Sequence, residues 1–157
     1  MIYVGIDPGR NGAVAILRKD EWELHVMGDA YWFSDLLETL KKEGPLIVTL
    51  ERAQSMPGNG GKAMFSYGTH FGELLGIMVA LQVPFQTVPP LVWTKALHET
   101  TKETMGPKAR SLQAVRRLFP SLRLTDPKSD RAKVPHDGIV DAVLICEYGR
   151  RKQWMTK

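Results

Sequence analysis

Apolar positions open the chain as three short runs. IYVGID at 2–7 is continuous and rich in branched residues, which predicts a buried strand. PGRNG at 8–12 is a turn, with Pro8, Gly9 and Gly12 supplying the unusual backbone angles. GAVAILR at 12–18 predicts a second strand, and Lys19-Asp20 turns the chain into a third, WELHVM at 22–27. Three strands on tight connections make an antiparallel meander.

The period then lengthens. Phe33, Leu36, Leu37 and Leu40 recur at helical spacing between Trp32 and Glu43, and Gly44-Pro45 ends that helix. LIVTLE at 46–51 has the continuous apolar run of a central strand, closed by a carboxylate. The Gly-rich stretch QSMPGNGGK at 54–62 reads as a loop. A helix from Met64 to Leu81 carries Tyr67, Phe71, Leu74, Leu75 and Met78 on one face. PFQTVP at 84–89 predicts a fifth strand, and a short helix opens at Pro90, since proline suits a first helical turn. Helices are expected at Lys108–Phe119 and Asp137–Lys152, with a Pro-, Lys- and Asp-rich loop at 120–135 between them. The resulting order, written βββαβαβαα, is an α/β fold with a mixed five-stranded sheet flanked by helices. No linker divides the chain, so residues 1–157 are expected to form one domain.

Composition adds mostly exclusions. At 157 residues, 43% hydrophobic and 24% charged, the chain has the make-up of an ordinary globule, not of a disordered or fibrous protein. No apolar run approaches the ~20 residues of a membrane span. The single cysteine, Cys146, excludes an internal disulfide and fits a reducing, cytoplasmic setting. Charge distribution says more than the net +4. Residues 1–94 carry 7 Lys/Arg against 10 Asp/Glu, and residues 95–157 carry 14 against 7. A basic half beside an acidic half suggests a polyanion-binding surface next to a carboxylate site.

Two carboxylates stand at the ends of apolar strands, Asp7 and Glu51. Such a position is costly unless the acid is paired, hydrogen-bonded or metal-bound. Each taken singly reads as a turn-capping acid. Adjacent strands would bring the two side by side, which favours a divalent cation between them. Asp137 and Asp141 share a helix face four residues apart; Asp137 also suits a helix cap, whereas Asp141 sits among Ile139, Val140, Ala142 and Val143. Four carboxylates make a hard-oxygen site suited to Mg²⁺ or Mn²⁺.

VGIDPGRNGAVAIL, TLERAQSMPGNGGKAMFSYGTHFGELLG, VPPLVWTKAL and HDGIVDAVLICEYGRR follow one another as in the RuvC-type Holliday junction resolvases. The chain resembles the phage-type branch of that family, within the ribonuclease H-like superfamily, over about residues 1–150. The resemblance implies a ribonuclease H-like fold and a homodimer that resolves four-way DNA junctions by paired symmetrical nicks. It implies catalytic, metal-binding roles for Asp7, Glu51, Asp137 and Asp141, with two Mg²⁺ or Mn²⁺ ions per site. It also implies DNA contacts from Lys95, Lys102, Lys108 and Arg110. Two positions depart from the family pattern. Its best-known cellular members carry helix carboxylates three apart, where this chain has Gly138. Their aromatic wedge falls where this chain has Gln54, so opening the junction is left to other residues.

Several residues keep two readings. Asp137 is favoured as the partner of Asp141, since it lies about 40° round the helix. His136, which a continued helix would turn about 140° away, is an accessory beside the substrate phosphate or a rival ligand. Gly68, Gly72 and Gly76 form a smooth helical ridge that either packs on the sheet or serves a dimer interface. Trp93 and Cys146 read as core, and His70 and His98 as solvent-facing or hydrogen-bonded. DPGRNG also resembles the phosphate loop of actin-like and sugar kinases. Those enzymes need a second domain that 157 residues cannot supply, so no nucleotide cofactor is expected. The alternative from a different class is a non-catalytic module that binds branched DNA.

Overall fold

In the first strand, β1 (Ile2–Asp7), facing alternates with every residue. Ile2, Val4 and Ile6 enter one apolar layer, whereas Tyr3 packs into the other and Asp7 shares its side. The same parity divides β2 (Ala13–Arg18): Val14 and Ile16 face the first layer, and Ala13, Ala15 and Leu17 the second. The computed structural model describes residues 1–9, 11–52, 60–99, 104–129 and 131–154. Arg10, Lys102, Gln54 and most of the loop at 54–62 lie outside the described residues.

With β3 (Glu21–Val26), β4 (Leu46–Glu51) and β5 (Phe85–Val88), the strands form one sheet in the order β3-β2-β1-β4-β5. β1–β2 and β2–β3 are antiparallel, and β1–β4 and β4–β5 are parallel. This is the mixed five-stranded sheet the apolar pattern predicts.

The first layer lies beneath α1 (Ala30–Glu43) and α2 (Gly61–Ala80). It is filled by Phe33, Leu37, Leu40, Leu74 and Met78 against Val4, Ile6, Val48 and Leu50. Burying one such side chain stabilises the fold by about 1.5–3 kcal/mol. Asp29 starts α1 by accepting the Trp32 N–H at 2.8 Å.

On the second face lie α3 (Pro90–Leu97), α4 (Pro107–Leu118) and α5 (Asp137–Trp154). Among the described residues three helices follow β5: the short one expected to open at Pro90, which the condensed order βββαβαβαα leaves out, and the two expected beyond it. α5 crosses β1 so closely that a Cβ on Gly5 would lie 2.3 Å from the Ala142 carbonyl oxygen and the Cys146 nitrogen. Cys146 is buried there, as a small core residue should be. No helix among the described residues is long and apolar enough to cross a membrane.

Gly68, Gly72 and Gly76 do not pack on the sheet. A Cβ at any of them would meet nothing within 4 Å, since the buried face of α2 is set by Leu74 and Met78. Exposed Phe65 and Val79 fall on the glycine side of the helix, at offsets of −3 and +3 from Gly68 and Gly76.

Candidate active site

Register brings the two strand-end acids together. β1 and β4 pair in parallel from Ile2–Leu46 to Ile6–Leu50, and the next step along both strands sets Asp7 level with Glu51. Parity then sends both carboxylates to the face covered by α5. Asp141, one turn into α5, meets them there: Asp7 and Asp141 each act electrostatically on Glu51, and Asp7 on Asp141. Three acids from three elements thus share one largely buried edge.

Their electrostatics follow from that crowding. Burial pushes the Glu51 carboxyl up to about 7; the Trp93 N–H opposes this, and Asp7 and Asp141 add to it. Burial likewise raises Asp141 to about 7, opposed by the Ser111 hydroxyl and reinforced by Asp7 and Asp137. Asp7 is raised by burial, against a hydrogen bond from Gly9 N–H at 2.9 Å and the nearby His136 ring. One buried oxygen, Asp141 Oδ1, has no hydrogen-bond partner. An orphaned carboxylate oxygen beside two further acids is a costly arrangement without a cation or protons. The donor set is all oxygen, which suits Mg²⁺ or Mn²⁺. Among the described residues, however, no group of three or more His, Cys, Asp or Glu side chains stands at ligand spacing.

Asp137 and His136 stand differently at the rim. The Asp137 side chain is 56% exposed and pairs with Lys108, although its charge still reaches Asp141. His136 precedes α5 and caps it: its Nδ1 accepts the Ile139 N–H at 3.3 Å, and its carbonyl the Val140 N–H at 3.0 Å. His136 is thus not turned away from the acids as a residue inside the helix would be. The capping ring lies close enough to Asp7 to favour its ionised form.

Three further contributors are not evident in the sequence pattern. Trp93, buried as expected, also donates its indole N–H to Glu51 Oε2 at 2.7 Å. Ser111 lies on the buried stripe of α4 with Ala114 and Val115, and its hydroxyl reaches Asp141. A lone serine on an apolar stripe was the available signal. Half-buried Tyr67 of α2 is pushed up to about 12, by burial first and then by Glu51 and Asp7. It lines a groove of about 890 Å³ beside the acids, with Gly9, Met27, Lys62, Ser66 and His70. His98 is buried and bonded to Ser111.

The expected DNA contacts are spread over α3 and α4. Lys95 and Lys108 are exposed and Arg110 is half-buried. Lys102 lies outside the described residues.

The fold thus sets the strand-end acids of β1 and β4 facing a carboxylate on the last helix. No family model matches the chain, and no curated protein matches it. Solved structures do. RuvC of T. thermophilus in complex with a Holliday junction substrate superposes with a TM-score of 0.62 at 17% identity, covering 99% of this chain and 96% of that one. A second Thermus thermophilus RuvC structure gives 0.56 at 17% identity, over 98% and 97% of the two chains. The yeast mitochondrial Holliday junction resolvase Ydc2 gives 0.56 at 16% identity, over 96% of this chain and 78% of that one. The chain therefore has a RuvC-like fold, of the ribonuclease H-like type.

Proposed function

We propose that this protein is a metal-dependent endonuclease that resolves four-way DNA junctions, of the phage-type RuvC-like branch. The observation that carries the reading is the half-buried trio Asp7, Glu51 and Asp141, whose carboxyls act on one another, with the buried Asp141 Oδ1 left without a partner. The fold, shared with two resolvases of low identity, supports it.

Asp7, Glu51 and Asp141, with Asp137 at the rim, would hold two Mg²⁺ or Mn²⁺ ions. The chemistry such cations would supply when held there is activation of a water and stabilisation of the departing 3′-oxygen in phosphodiester cleavage. The chain itself supplies position. Gly9 N–H fixes Asp7, Trp93 fixes Glu51, and the α5 cap made by His136 sets the first turn that carries Asp137 and Asp141. Lys108, paired with Asp137 at the rim, and exposed Lys95 are cations of the basic half that phosphates would meet.

Two symmetrical nicks need two sites, so the working unit is a homodimer. The open stripe Phe65–Gly68–Gly72–Gly76–Val79 on α2 lets a second helix approach closely and is the proposed interface.

The test is incubation with a labelled four-way junction, a flap and a linear duplex, with and without Mn²⁺. Paired nicks in the junction that require Mn²⁺ support the reading. A junction bound but left intact with Mn²⁺ would instead favour a non-catalytic branched-DNA-binding module.

A further inference from the structure

Beneath the carboxylates lies a layer of polar groups from α3 and α4. Trp93, His98 and Ser111 are 2%, 4% and 4% exposed, so each is ordered by the core. Trp93 Nε1–H donates to Glu51 Oε2 at 2.7 Å. The Ser111 hydroxyl faces the Asp141 carboxyl closely enough to favour its ionised form. His98 Nε2 stands 3.2 Å from Ser111 Oγ, and its ring meets Trp93 edge-on, with centroids 5.8 Å apart and planes at 86°.

The donor arithmetic gives this layer a direction. Once Asp141 is ionised, as a cation ligand must be, its carboxylate only accepts, so the single Ser111 proton points at it. Ser111 Oγ must then accept from His98, which places the His98 proton on Nε2. Each of the two acids contributed by β4 and α5 is thereby held from behind by a neutral donor, and Asp141 Oδ1 is left without a protein partner. Packing alone explains a buried tryptophan, but it does not require an indole N–H on one acid and a relayed hydroxyl on the other.

We propose that Trp93, Ser111 and His98 are positioning residues that orient Glu51 and Asp141 toward a divalent cation. The inference rests on the metal-holding role proposed above. Partners behind metal-ligating groups typically change metal affinity 10–100-fold when removed. The experiment is Mn²⁺ titration of the full chain by calorimetry, without DNA, for the wild type, Trp93→Phe, Ser111→Ala and Ser111→Thr. Val115→Ala, a core change in the same helix that touches neither acid, is the control.

Trp93→Phe and Ser111→Ala should each weaken Mn²⁺ binding about tenfold or more, Ser111→Thr should recover most of the loss, and Val115→Ala should bind as wild type. The His98 ring nitrogens, followed by ¹⁵N NMR at about pH 9 where Asp141 is ionised, should report the Nε2-protonated tautomer in the wild type and lose that preference in Ser111→Ala. This signal needs no metal and no threonine variant. Wild-type binding matched within about twofold by both Trp93→Phe and Ser111→Ala would overturn the positioning role while leaving the metal site standing. A wild type that binds no Mn²⁺ would overturn the metal reading itself, and this role with it.

Discussion

A Cβ on residue 138 would lie 2.2 Å from the carbonyl oxygen of Asn11. α5 enters against the β1–β2 turn at Gly138, and the backbone there leaves no space for a side chain. This accounts for the missing acid three residues before Asp141: the position where the resemblance leads one to expect a carboxylate is sterically closed. Asp137, one residue earlier and exposed, is the acid the first turn of α5 can offer.

Gly138→Asp should therefore not supply a substitute ligand. Both Gly138→Asp and Gly138→Ala are expected to destabilise the fold by about 2–4 kcal/mol, because backbone must move. Thermal melting checks this, and equal melting temperatures for Gly138→Ala and wild type would disprove the close approach.

Stability without divalent cations should fall as pH rises. Glu51 and Asp141 have folded values near 7 against ordinary values of 4.5 and 3.8. Below the ordinary values both are neutral, folded or unfolded, and contribute no penalty. As pH climbs toward and past 7, the folded state resists ionisation that the unfolded chain accepts freely, so stability is lost across that window. Glu51→Gln and Asp141→Asn should each raise the melting temperature at pH 8 in EDTA by roughly 4–8 °C, about 2 kcal/mol, with the gain vanishing near pH 4. A destabilised variant at pH 8 would contradict the direction.

The α2 ridge yields a separable result. Gly72→Ala, with open space around it, should stabilise the monomer by up to about 1 kcal/mol through helix propensity. Gly72→Glu should keep the fold and abolish the dimer. Light scattering should give twice the 17.6 kDa chain mass for wild type and the single mass for Gly72→Glu. A monomeric wild type at micromolar concentration with junction bound would refute the interface.

Junction binding should weaken with salt in proportion to the number of phosphates the protein neutralises. Replacing Lys95, Lys108 and Arg110 with Ala should lower the log–log slope by about 0.9 for each phosphate no longer neutralised. Arg150 and Arg151 are both held by Glu147 at 2.7–2.8 Å, so replacing them should leave the slope nearly unchanged. The opposite ranking would move the grip to the end of α5.

Much of this was legible because it depends on local pattern. The runs 2–7, 12–18 and 46–51 announced their strands, and acids at two strand ends pointed to the site. The strand order β3-β2-β1-β4-β5 was not legible, since periodicity does not encode which strands pair. What escaped was set by tertiary contact. Nothing local tells that Trp93 lends its N–H to an acid 42 residues earlier, that Ser111 faces Asp141, or that His136 caps α5 instead of extending it. The glycines of α2 have helical spacing on either reading, and only the placement of Leu74 and Met78 turns the ridge outward.

The central claim is that the clustered acids cut while the basic half binds. The most direct measurement pairs a junction cleavage assay in Mn²⁺ with junction affinity for Asp7→Asn and Glu51→Gln. Each amide keeps the shape and removes the charge. The account predicts that both variants lose cleavage and bind the four-way junction within a few-fold of wild type. Full cleavage by either variant, or loss of junction binding by both with the fold intact, would contradict it.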